Sequence, residues 1–205
     1  MIADRRRALA LSLETVTPQQ GALPSLCVGW TVHQVAAHLV MPFSVGLPTL
    51  MLGLIRNRGN FDKYSNSWAI AMASKTPLTE ISARLREHAE HRFTPPGFGP
   101  QAPLTDICVH SFDIGIPLGA PPEVPTDQIN VVLDLLTTPR AAKSFAKAGL
   151  LDGLHVSSTD SSWSHGSGQT VSGPSWALML ALSARSAALD ELSGDGVEVL
   201  SSRLT

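Results

Sequence analysis

From Val35 to Ile55 the chain reads VAAHLVMPFSVGLPTLMLGLI, a run without one formally charged side chain. Its length is what the hydrocarbon core of a bilayer asks of a helix, so the run is either a membrane span or an interior element of a soluble fold. Pro42, Pro48, Gly46 and Gly53 interrupt it. Isolated spans seldom carry so many helix breakers, because lipid leaves the freed backbone groups without partners. The run therefore reads as a buried, kinked bundle helix, and no membrane partner is expected. His38 lies inside it, where an imidazole costs free energy unless its ring nitrogens find partners. Pro42 lacks the N–H that would bond to the His38 carbonyl and its ring clashes there, so the helix bends or breaks just beyond His38.

The rest of the composition narrows the class. A chain of 205 residues, 43% hydrophobic and 16% charged, is ample for a hydrophobic core and too apolar for disorder. A net charge of -2 provides no broad basic field, which argues against nucleic acid as a partner. Two cysteines, Cys27 and Cys108, are too few for a disulfide framework and suit a reducing compartment, so the expected location is cytoplasmic. The segment RRRALALSL, Arg5 to Leu13, imitates an export signal. Glu14 ends its apolar run early, no small-x-small cleavage site follows, and Leu26 before Cys27 spoils a lipoprotein reading, so it is taken as helix.

Helical spacing runs from Ile2 to Thr17, ahead of Pro18. Thr31 caps a second helix, kinked or broken at the prolines, that extends to about Ile55. The segment RNRGNFDKYSN, Arg56 to Asn66, reads as a polar connection, and a third helix begins at Thr76-Pro77. After the loop TPPGFGPQAP a further helix starts near Pro103 and stops by Gly115-Ile116-Pro117, and another spans Thr126 to Thr138. From Asp152 alternating and β-branched residues between Ser/Gly turns predict a short hairpin or meander, followed by a helical stretch from Pro174 to Leu192 and a short tail. This order predicts a mainly α fold, a helical bundle over residues 1–140 with a small C-terminal α/β elaboration over 150–205.

In TDICVHSFDI, Asp106, His110 and Asp113 fall within one stripe at about 100° per residue. Bundle metal sites are built from carboxylates and histidines projecting inward at such spacing. His38 is the natural third ligand beside Asp106 and His110, since catalytic zinc sites take three protein ligands and keep one position open. Plainer readings fit the same residues. An acid in a first turn is favoured by the helix dipole without any metal, His110 suits a satisfied core histidine, and Asp113 suits either a supporting partner or a surface charge. A rival pair, His88 and His91, sits among Arg84, Arg86, Glu87, Glu90 and Arg92 and reads as a solvated face. Cys108 is turned about 200° from Asp106 and reads as packing; Cys27 has no neighbouring cation in sequence to activate a thiolate. His155 and His165 flank the expected hairpin, and SWSHGSGQ lacks the strand-to-helix setting of a nucleophile elbow.

These residues resemble one family throughout nearly the whole chain. SLCVGWTVHQVAAHL, Ser25 to Leu39, is similar to the opening motif of the mycothiol-dependent maleylpyruvate isomerase family of DinB-like, metal-binding four-helix bundles. TDICVHSFDIGIPLG resembles its second motif, and DSSWSHGSG, VSGPSWALMLALSARSAALDELSGDGV and VLSSRL resemble its third region. The chain departs from the pattern at Val28, where the family has proline, and at Ser183-Ala184, which replace a Thr-Gly pair before an arginine.

The resemblance implies that His38, Asp106 and His110 bind a divalent metal, zinc first, whose open position receives the thiol of mycothiol. It implies an isomerase or thiol transferase whose partners are that small thiol and an electrophilic, unsaturated acid. Arg185 matches the arginine that would meet a substrate carboxylate, and a helix-surface arginine fits that position equally. Asp113 is expected behind the ligands rather than among them. The alternative is a non-catalytic metal-binding bundle, with a homodimer compatible with either reading. A catalytic site keeps an exchangeable position, whereas a structural one is closed by a fourth residue such as Asp113.

Overall fold

Polar side chains placed one residue ahead of the first turn open three of the helices in the N-terminal part. Thr17 accepts the N–H of Gln20, and the Gln20 side chain returns the bond to the Thr17 N–H; the pair opens α2 (Pro18–Gly21) after α1 (Ile2–Leu13). Thr31 and Gln34 repeat this capping box at α3 (Val32–Leu39), and Asn60 accepts the Lys63 N–H at 2.8 Å to open α6 (Phe61–Ala73). Each such cap contributes about 1 kcal/mol. The computed structural model describes residues 1–95, 97–141, 145 and 147–204, and 55% of the chain is helical. Pro96, in the expected loop 94–103, lies outside the described residues.

Pro42 acts as its chemistry requires. With no N–H to offer His38, it ends α3 at Leu39, and α4 (Met41–Ser44) and α5 (Leu47–Arg56) each restart with a proline in the first turn. The stretch expected to be kinked or broken at the prolines is thus broken into three helices, and its later part is not interior. Leu47 and Ile55 are 69% and 71% exposed, and Gly53 is the buried residue of α5. Among the described residues no helix is long and apolar enough to cross a membrane. The segment read as a polar connection instead contains the first turns of α6, because Asn60 caps a run whose Tyr64, Ser65 and Ala69 face inward.

Contacts group the chain into two compact units: Met1–Phe98 with His110–Pro122, and Gly99–Val109 with Glu123–Thr205. In the first unit α3 packs on α6 and on α7 (Leu78–Glu87), and α1 packs on α7. Leu13, Val32, Val35, Ile81 and Leu85 are fully buried there. Arg6, 5% exposed, stitches α1 to the end of α7 by donating to the carbonyls of Ala89 at 2.9 Å and His91 at 2.7 Å, as a cation should at a helix C-terminus.

In the second unit α9 (Thr126–Leu136) packs on α10 (Ser175–Leu182). The latter is apolar on nearly all sides and buried at every position but Trp176, as such a helix must be. Strands β1 (Leu154–Ser158), β2 (Ser164–Gly166) and β3 (Gln169–Gly173) form a sheet of order β2-β1-β3. β1 and β2 pair antiparallel as the expected hairpin, but β3 pairs parallel to β1, so the sheet is mixed and not a meander. The chain crosses the start of β1 in two residues, which Gly168 permits at φ +123°. A Cβ there would stand 2.0 Å from the Gly153 carbonyl oxygen.

The expected final helix also divides. α10 stops at Leu182, a 3-10 helix follows over Ser186–Glu191, and the tail forms α11 (Val197–Leu204). The helix carrying the candidate site, α8 (Gln101–Gly115), begins two residues earlier than Pro103 and keeps that proline in its first turn, where no N–H is missed. A mainly helical chain with a small C-terminal sheet is the fold expected from the sequence.

Candidate metal centre

Two helices bring the three candidate ligands together. His38 comes from the last turn of α3, while Asp106 and His110 stand one turn apart on α8. One ligand atom from each lies within 4.8 Å of the others, and each residue is half-buried. Donor atoms around a tetrahedral zinc are roughly 3.3–3.5 Å apart, so small side-chain rotations close the group on a cation. Two imidazoles and a carboxylate form a donor set that suits zinc and its neighbours in the divalent series. The imidazoles of His38 and His110 meet edge to face with centroids 5.1 Å apart.

Both imidazoles are held from behind. His110 donates its Nδ1–H to Asp113 Oδ2 at 2.8 Å, and Asp113 is fully buried. That bond places the ring proton on Nδ1 and leaves the Nε2 lone pair for a cation, the arrangement that orients metal-binding histidines generally. Asp113 thus stands behind a candidate ligand and outside the group of three, as the stripe on α8 allowed. On the other ring, His38 Nδ1 lies 2.9 Å from Ser65 Oγ of α6.

Trp30 walls the site. Its ring centroid is 5.1 Å from that of His38 and 6.4 Å from that of His110, and its indole N–H donates to Asn66 Oδ1. The loop before it is built for this placement. Ser25 Oγ donates to the Trp30 carbonyl at 2.8 Å, the Trp30 N–H to the Cys27 carbonyl at 3.0 Å, and the Leu26 N–H to the carbonyl of Asp113 at 3.2 Å. The residue that orients His110 through its side chain therefore anchors the Trp30 loop through its backbone.

The remaining candidates stand elsewhere. Cys108 is fully buried and Cys27 half-buried, each a free thiol. His91 is exposed and His88 half-buried, and both flank the Phe43 ring, at 4.9 and 5.8 Å, with the Arg6 guanidinium over its face. Burial, then the charges of Arg6 and His88, push the His91 imidazole below its usual pKa. His155 bonds to the Gly166 carbonyl, and His165 stacks on Trp163. Arg185 lies in the second unit between α10 and the 3-10 helix, half-buried, and its guanidinium donates to the Ser183 carbonyl.

Ser65 and Asn66 escaped sequence reasoning because their segment reads as a connection. Asn60 before Phe61, Tyr64, Trp68, Ala69 and Met72 is the available signal, an N-cap ahead of residues at helical spacing.

Residues 2–103 match the family described as the mycothiol maleylpyruvate isomerase N-terminal domain. A crystal structure of a histidine-to-alanine mutant of the mycothiol-dependent maleylpyruvate isomerase is similar over 95% of this chain and 93% of its own, with a TM-score of 0.50 and 17% identity. A second crystal structure of that isomerase gives a TM-score of 0.46 at 16% identity, covering 95% and 90% of the two chains. No curated protein matches the sequence.

Proposed function

Because the chain belongs to the mycothiol maleylpyruvate isomerase N-terminal domain family, we propose that it is a metal-dependent enzyme using mycothiol on a small electrophilic substrate. The reaction is an isomerisation or a thiol transfer, and His38, Asp106 and His110 hold a divalent metal, zinc first. One observation carries this reading. Three donors of the right kind converge, while Asp113, the carboxylate that would close a structural site as a fourth ligand, is committed to His110 Nδ1. Three protein ligands and an open position are the pattern of catalytic rather than structural zinc.

A divalent metal held there supplies a Lewis-acid position at which a thiol gives up its proton near neutral pH. The protein residues do the rest. Asp113 fixes the His110 ring, and Trp30 covers one side of the imidazoles and keeps water from it. Arg185 is the proposed partner of a substrate carboxylate. In the isomerase form mycothiol bound beside His38, Asp106 and His110 would supply a thiol able to add reversibly to a conjugated double bond, a chemistry that would exchange geometric isomers with no atom gained or lost. Neither buried Cys108 nor Cys27 supplies that sulfur.

Calorimetric titration of the zinc-loaded and metal-free proteins with mycothiol, paired with an assay on maleylpyruvate, tests the proposal. Binding restricted to the loaded form, with turnover retained in the Cys27→Ser/Cys108→Ser variant, is the expected result. Loaded protein that neither binds the thiol at millimolar concentration nor turns over substrate makes it a non-catalytic metal-binding bundle.

A further inference from the structure

Serines inside helices ordinarily turn the hydroxyl back onto a carbonyl three or four residues earlier. Ser67 of α6 does this, donating to Lys63 at 2.9 Å, and Ser74 at the helix end donates to Ala71. Ser65 behaves differently. It is 4% exposed, and its Oγ meets His38 Nδ1 across 27 residues of chain. The next residue, Asn66, accepts the indole N–H of Trp30. Two consecutive side chains of α6 thus hold two rings of the site, although α6 carries none of the three candidate ligands.

We infer that Ser65 is the positioning residue that presents Nε2 of His38 to the cation, the counterpart of Asp113 behind His110. The inference rests on the reading of His38, Asp106 and His110 as a metal site. An imidazole that binds through Nε2 carries its proton on Nδ1 and needs an acceptor for it, and Ser65 Oγ stands in that place. The two partners differ in kind. An ionised carboxylate only accepts, so Asp113 keeps the proton of His110 on Nδ1 with or without a cation. A hydroxyl donates as well as accepts, so Ser65 serves either tautomer of His38 and adds no charge beside the site. His110 is preset for a metal, whereas His38 takes its final tautomer when the metal arrives.

The test compares zinc affinity, by competition with a chromophoric chelator, in the full wild-type chain and in Ser65→Ala and Ser67→Ala. Ser65→Ala removes one oxygen and adds nothing, and Ser67→Ala makes the same deletion where the hydroxyl serves only its own helix. We expect Ser65→Ala to weaken zinc binding about tenfold and Ser67→Ala to leave it unchanged. Long-range proton–nitrogen spectra of the zinc-loaded wild type should place the His38 proton on Nδ1. Equal zinc affinity in Ser65→Ala and wild type, equal losses in the two variants, or a His38 proton on Nε2 in the loaded protein would each overturn the inference. Should Ser65→Ala not fold, the nitrogen spectra of the wild type decide alone. A wild type that takes up no zinc overturns the reading of the site itself.

Discussion

Asp113 Oδ2 accepts the Nδ1–H of His110 at 2.8 Å from a fully buried position three residues further along α8. A buried carboxylate is costly unless it is bonded, so this contact satisfies Asp113 and fixes the tautomer of His110 at once. Asp113→Asn keeps an acceptor and removes the charge. It should weaken zinc binding by roughly 10- to 100-fold without abolishing it, as measured by chelator competition. Complete loss of the metal would make Asp113 a ligand and the site a closed one.

Ala184 has φ 65°, a left-handed conformation that L-residues other than glycine seldom adopt. It ends α10 in a Schellman motif, with the Arg185 N–H bonded to the Leu180 carbonyl and the Ala184 N–H to that of Ala181. Glycine belongs at this position, and Ser183-Ala184 stand where the resembled family has Thr-Gly. Ala184→Gly should therefore stabilise the chain by about 1 kcal/mol, raising Tm by about 2–4 °C for a chain of this size. A lower Tm would show that the turn is not built this way.

At Gly53 the sign is reversed. Alanine in mid-helix ordinarily gains about 1 kcal/mol over glycine, but a Cβ at Gly53 would stand 2.2 Å from the ring of buried Tyr64. Overpacking of that severity costs about 1–3 kcal/mol. Gly53→Ala should destabilise the protein in denaturant melts and expose Tyr64 to solvent.

How much of this was legible beforehand differs from element to element. The candidate ligands on α8 were readable because one helix fixes their spacing, and His38 stood out because an imidazole in an uncharged run demands a reason. The residues behind those ligands split along the same line. Asp113 shares the stripe of His110, whereas Ser65 reaches His38 only through the packing of α6 on α3, which no local pattern encodes. The break at Pro42 follows from the chemistry of proline, but where α5 points does not. Apolar content suggested an interior helix, and the structure leaves Leu47 and Ile55 at the surface. The parallel placement of β3 depends on a two-residue crossing that Gly168 makes sterically possible, and alternation alone does not reveal it.

His91 should make the fold sensitive to mild acid. Its pKa is held below the ordinary 6.5 by burial and by the charges of Arg6 and His88, so below pH 6.5 the unfolded chain binds more protons at this residue than the folded one. Stability contributed here is complete above that pH and declines as the pH falls toward the lower, folded value. The side chain is exposed, so the effect is small. His91→Asn should flatten the decline in urea midpoints from pH 7 to 5.5, and an unchanged slope would assign the sensitivity to another group.

The most direct measurement of the central claim is the metal content of protein purified without chelator. Wild type, His88→Ala and His91→Ala should each carry close to one equivalent of zinc or a similar divalent metal, and His38→Ala, Asp106→Ala and His110→Ala should each lose it while remaining folded. A metal-free wild type that takes up no zinc on addition, or a His38→Ala protein that keeps its full equivalent, would contradict the assignment of His38, Asp106 and His110 as the metal centre.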